Sequence, residues 1–131
     1  MANDPRSLRT ALARIRFLGS AKSGTHHSWH MRVTSVALMP LSILFVWILV
    51  SLAGKDYNAV RATFADRFLP ATVMILFILT SAYHMRLGMQ TIIEDYVHDE
   101  PIKTWSIIAN LLFSVLVGFA GLFAVLKLSL T

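Results

Sequence analysis

One histidine of this sequence stands in the middle of a long apolar run, and an ionisable side chain in such a place is a chemical hypothesis by default. His84 lies fourteen residues after Pro70 and eleven before Asp95. At about 1.5 Å per residue, a helix sets its imidazole ~17 Å from Asp95, near mid-membrane. Steps of four, three, four and three residues lead from His84 to Gly88, Thr91, Asp95 and His98, and a step back of three leads to Ser81. These positions share one helical face, small or polar throughout, while Leu87, Ile92 and Ile93 lie elsewhere. Three chemistries suit such a stripe. The first is axial ligation of haem iron, since neutral imidazole is a common ligand and the missing side chain at Gly88 makes room for a flat macrocycle. The second is a hydrogen bond across packed helices, with Gly88 at the close approach. The third is a proton or ion path. Spacing alone leaves all three open.

A six-coordinate haem needs two axial ligands, and no second histidine of this chain lies at the depth of His84. His26, His27 and His30 precede the first apolar run, and His98 follows the second. A haem here is therefore expected to be shared with another subunit. Two rivals remain. In a two-haem cytochrome, His84 and His98 would each ligate a haem from nearly one face; against it, His98 is followed by Asp99, Glu100 and Pro101, which put it in the headgroup region. In a haem-free subunit, His84, Asp95 and Arg86 would form a proton or ion relay, or serve only to hold a larger assembly together. Arg86 falls on nearly the opposite face from His84, which favours snorkelling or contact with a neighbouring subunit.

The elements that must position these residues follow from composition. Of 131 residues, 56% are hydrophobic and 15% charged, where soluble domains run near 25% charged. Mean hydropathy is +0.62; that is too much apolar surface to hide in so small a body. Three runs carry it: Val33 to Ala53, Phe68 to about Ile93, and Trp105 to Leu126. Each is long enough for the ~20 residues that cross ~30 Å of hydrocarbon. The fold class is thus an all-α membrane protein, a single domain over 1–131. It has transmembrane helices at about 31–53, 68–96 and 104–128, and an interfacial arm over 1–30. Gly54 to Arg67 and Glu94 to Thr104 read as polar loops. In the arm, Leu8, Leu12, Ile15 and Leu18 oppose Arg9 and Arg16, a short basic amphipathic stretch suited to a membrane surface. The run that follows is too long for a secretory leader; being Arg-rich and poor in acid, the arm also resembles an organellar presequence, and a retained segment is expected. No cysteine is present, which removes disulfides, thiol nucleophiles and iron–sulfur ligation.

The net charge of +5 does not indicate nucleic acid. Six of the twelve basic residues (Arg6, Arg9, Arg14, Arg16, Lys22 and Arg32) precede the first apolar run, a topology or lipid-headgroup signal. With Lys103 they make seven on one side. Lys55, Arg61, Arg67 and Lys127 make four on the other, so the N-terminus is expected in the cytoplasm and the C-terminus in the periplasm. Tyr96, next to Asp95, sits at the membrane boundary, where aromatic belts also place tyrosine.

The segment from His84 through Gly88 to Asp95, Tyr96 and His98 resembles the signature of the hydrophobic membrane anchor subunit of succinate dehydrogenase. A second stretch, Ser-Ala-Lys-Ser-Gly-Thr-His26-His-Ser-Trp29-His-Met-Arg32-Val-Thr34, is similar to the lead into the first helix of alphaproteobacterial anchors. The resemblance implies a subunit of succinate:ubiquinone oxidoreductase that catalyses nothing alone and partners a cytochrome b556 anchor subunit, an iron–sulfur subunit and a flavoprotein subunit. It implies that His84 is one axial ligand of haem b, with Arg32 and His26 near the propionates. It implies that Tyr96 donates its hydroxyl to ubiquinone and that Asp95 sets the polarity of that site. A bacterial inner membrane is the expected location.

Overall fold

The computed structural model describes residues 22–66 and 68–130; of Lys22 and Ser23 only the backbone is placed. The basic amphipathic stretch expected around Leu8 to Leu18 lies outside the described residues. What is described is entirely helical: α1 (Lys22–Leu52), α2 (Tyr57–Ala65), α3 (Phe68–Tyr96) and α4 (Glu100–Leu130). Three of these are long and apolar enough to cross a membrane, over Gly24–Leu52, Phe68–Tyr96 and Glu100–Leu130. The chain is a three-span membrane protein.

Helix α1 begins at Lys22, well before the apolar run, so its first turns carry the histidines His26, His27 and His30 on a regular helix. Pro40 sits inside it and lacks the N–H that would bond the preceding turn. Gly54, with φ of 77°, takes the left-handed conformation that ends the helix, and the Lys55 N–H returns to the Leu52 carbonyl at 3.1 Å. The loop expected at Gly54 to Arg67 contains a helix of its own. Asp56 caps α2, its carboxylate accepting from the Ala59 N–H at 3.4 Å. Phe64 then drops into the interior, only 3% exposed, and its carbonyl accepts from Ser129 Oγ of α4. So α2 seals the end of the bundle remote from Tyr96.

Helix α3 is central. It packs against both α1 and α4, while no comparable contact joins α1 to α4. Near the α2 end, Phe45 stacks on Phe77 with ring centroids 4.2 Å apart, and Ile48, Ala71, Val73 and Val125 are buried with Phe64. Elsewhere most buried positions are small or polar (Ala82, Gly118, Thr34, Asn110 and Ser114), with Leu87 and Ile93 the large apolar side chains among them. This is how helices meet in lipid, where apolar side chains gain nothing by leaving hydrocarbon and close backbone approach decides. Trp29, Trp47, Phe119 and Phe123 accordingly stay on the outside.

Asn110 shows the polar side of the same rule. Buried, it donates its amide to the Arg86 carbonyl at 2.9 Å, an inter-helix bond of the kind worth about 0.6 kcal/mol and at most ~1.7. Gly121 shows the steric side. A Cβ there would stand 2.6 Å from Ile78 Cγ2, a branch methyl fixed at χ1, whereas at Gly118 it would meet Ala82 Cβ at an ordinary 3.6 Å. Gly121→Ala is therefore expected to lower the stability of the detergent-solubilised protein by about 1–3 kcal/mol, and Gly118→Ala to leave it nearly unchanged. Thermal unfolding of the two variants side by side checks the contrast.

Candidate functional site

His84 sits sixteen residues into α3 and twelve from its end, half-buried, on the side turned toward α1. Its Nδ1 lies 2.8 Å from the Oγ1 of Thr34 on that helix. Seven residues along α3, Thr91 Oγ1 lies 3.1 Å from His27 Nε2, seven residues back along α1. Two turns separate the rungs on each helix, so the antiparallel pair is held in one register by two threonine–imidazole ties. The polar stripe on α3 is thus the face that meets α1. Hydrogen-bonded packing, one of the three readings of His84, accounts for one ring nitrogen only.

The other nitrogen is left over. His84 Nε2 has no hydrogen-bond partner among the described residues, and no buried side-chain nitrogen or oxygen there is unsatisfied, so Nε2 opens onto the helix surface. One turn on, a Cβ built at Gly88 would find nothing within 4 Å. An imidazole fixed at Nδ1, bare at Nε2 and beside open space is the donor arrangement that an axial haem ligand requires. Among the described residues there is no cluster of three or more metal-ligating side chains. The residues present fit haem.

The remaining sequence candidates are spread apart. Asp95 and Tyr96 end α3, both exposed, Tyr96 to 78%. Arg32 is exposed and stands two residues before Thr34, which turns it to nearly the opposite side of α1 from His84. It lies ten residues inside α1 rather than at the helix start, and by the register of the two ties it is level with Arg86 rather than with Tyr96. His26 is exposed, with its Nδ1 3.0 Å from His30 Nε2, and the His30 ring meets Tyr83 edge-on at 6.0 Å. Among the described residues, the side chains of Asp95, Tyr96 and Arg32 make no hydrogen bond. His98 falls in the short break between α3 and α4, exposed, which leaves α3 no second mid-span histidine for a second haem. Gln90 bonds Glu94 of its own helix at 2.7 Å and ties nothing to a neighbour. Arg86 lines a cavity of about 240 Å³ between α3 and α4 with Leu79, Tyr83, Ser114 and Phe119, away from the His84 face.

Sequence reasoning did not single out Thr34, Thr91 or Asn110 as partners. Their only signal is a hydrogen-bonding side chain inside an apolar run, and whether it meets anything depends on the register between helices.

The family model described as succinate dehydrogenase/fumarate reductase transmembrane subunit matches residues 6–118. The succinate dehydrogenase hydrophobic membrane anchor subunit of Rickettsia bellii is 32% identical over 117 residues, covering 89% of this chain and 93% of that protein. That of Paracoccus denitrificans is 35% identical over 103 residues, covering 79% and 75%. The succinate dehydrogenase membrane anchor subunit of Reclinomonas americana is 31% identical over 88 residues, covering 66% and 73%. No solved structure matches the chain. With the family model covering most of the chain and relatives aligned over most of its length, this chain belongs to the succinate dehydrogenase/fumarate reductase transmembrane subunits, as a hydrophobic membrane anchor.

Proposed function

We propose that this chain anchors a succinate:ubiquinone oxidoreductase in a bacterial inner membrane, with its N-terminus in the cytoplasm and its C-terminus in the periplasm. It holds haem b jointly with a cytochrome b556-type anchor subunit, and the Tyr96 end lines the site of ubiquinone reduction. The observation that carries this reading is the half-buried His84, tied at Nδ1 and bare at Nε2, beside the open space at Gly88. When bound, haem b supplies a one-electron store close to the quinone site. The protein's part is positional. His84 offers Nε2 to the iron from a helix whose register is pinned on either side of it. Arg32 and His26, on the outer surface of α1, offer a guanidinium and an imidazole to propionates at a subunit boundary; guanidinium suits carboxylates. Tyr96 presents its hydroxyl to a quinone carbonyl at the end of α3, with Asp95 beside it. The chain carries neither a Gly-rich dinucleotide fingerprint nor cysteine, so succinate oxidation belongs to the flavoprotein and iron–sulfur subunits docked on the cytoplasmic side.

Gly88 provides the test. Leucine at this position meets no atom of this chain near its Cβ and removes a glycine from a helix interior, so assembly of the complex is expected to survive. The same side chain fills the space beside His84. Purified complex should carry one haem per copy of this chain, and Gly88→Leu should lose most of it by pyridine haemochrome assay. Full haem content in an assembled Gly88→Leu complex would refute the placement.

A further inference from the structure

We infer that Thr34 is a positioning residue for the haem-ligand histidine, selecting the tautomer in which His84 can coordinate. The inference rests on the haem reading above and goes beyond it to a residue on the other helix. A hydroxyl has one proton and can accept at two lone pairs. Thr34 Oγ1 lies 2.8 Å from the His30 carbonyl, 3.0 Å from the Met31 carbonyl and 2.8 Å from His84 Nδ1. Carbonyl oxygens only accept; with the hydroxyl proton given to its own helix, as threonines in apolar helices commonly do, Oγ1 keeps its lone pairs for His84. The bond to His84 must then run the other way, with Nδ1–H donating to Thr34 Oγ1. A neutral imidazole carries one proton. With it at Nδ1, Nε2 holds a lone pair, and Nε2 is the nitrogen without a protein partner.

Thr34 is well built for this. It is 8% exposed, so water does not compete for the bond. Its β-branched side chain is stiff in a helix, and the second tie, His27 to Thr91, fixes the register that brings it to His84. That second tie follows the same logic, since Thr91 Oγ1 also lies 3.1 Å from the Leu87 carbonyl of its own helix. A hydrogen bond at the distal nitrogen fixes ring orientation and makes the ligating nitrogen more basic, which favours the oxidised metal.

The test uses the whole purified complex with Thr34→Val, Thr34→Ser and His84→Ala. Two readouts are independent of turnover: transfer of haem to excess apomyoglobin, and the haem midpoint potential by optical redox titration. Valine keeps the shape and removes the acceptor. Thr34→Val is expected to weaken haem retention roughly 10- to 100-fold and to move the potential upward, and Thr34→Ser to restore both. If haem depends on His84 while Thr34→Val matches wild type in retention and potential, the role of Thr34 is overturned and the haem reading stands. If wild-type complex carries no haem, or His84→Ala leaves its spectrum unchanged, both are overturned together.

Discussion

Complex assembled with His84→Ala is expected to lose the b-type absorption band, or to show it displaced, in the dithionite-reduced minus oxidised spectrum. The loss should be of haem and not of fold. The substitution removes one inter-helix hydrogen bond, to Thr34, of a kind worth about 0.6 kcal/mol and at most ~1.7 in a membrane bundle. The contacts on either side of it remain: His27 with Thr91 toward one end, and the Phe45–Phe77 stack toward the other. Half-buried at its position, the ring leaves a space that lipid or a neighbouring subunit can fill. A coordinate bond has no such replacement, because no other histidine of the described chain lies at that depth. A band unchanged by the substitution would move the ligand to another subunit. Absence of a band from the wild type would leave a haem-free anchor or a relay, and quinone-dependent activity would decide between them.

Tyr96→Phe should slow succinate-dependent quinone reduction by roughly ten- to a hundredfold, the range for losing a hydrogen bond to a group that gains negative charge as it reacts. Succinate oxidation with an artificial dye as acceptor should stay at the wild-type rate, because the dye takes electrons before they reach the membrane. The exposure of Tyr96 makes the pair of assays clean. At 78% exposed and with no hydrogen bond among the described residues, its hydroxyl supports nothing inside this chain, and phenylalanine keeps the ring. An equal fall in both activities would show that Tyr96 acts on assembly, and the quinone role would be wrong.

The three spans were legible because burial in lipid leaves a signal in every residue of a long run. Where α1 starts was not. Its first turns read Lys-Ser-Gly-Thr-His-His, which carry no hydropathy, yet they continue the same helix and bring His27 to Thr91. The nine residues of α2 were equally silent, being too short for a periodic signal and carrying Arg61 among small residues; Phe64 is the anchor that holds them down. At the site, His84 stood out because an ionisable group is costly in a span, and Gly88 because it lies one turn from it on the same face. Thr34 did not, since a threonine in an apolar helix bonds its own backbone wherever it is. Its meaning lies in the antiparallel register of α1 and α3, a property of two helices that neither one states alone. For the same reason Arg32 reads in sequence as a neighbour of the site, while helical phase turns it away from His84.

The arrangement of α3 between α1 and α4, with the outer two brought near each other chiefly in the cluster around Phe64, leaves a bundle that is open along much of its length. A row of three helices has two open flanks, and each outer helix buries only one side within its own chain. Half of every folding decision is thereby deferred to whatever covers those flanks, so the apparent stability of the anchor is tied by mass action to the abundance of its companions. A cell making this chain in excess of its complex holds an orphan with polar groups on view: the His26–His30 pair, Arg32 and the bare nitrogen of His84. Such groups are tolerable in hydrocarbon only when something meets them.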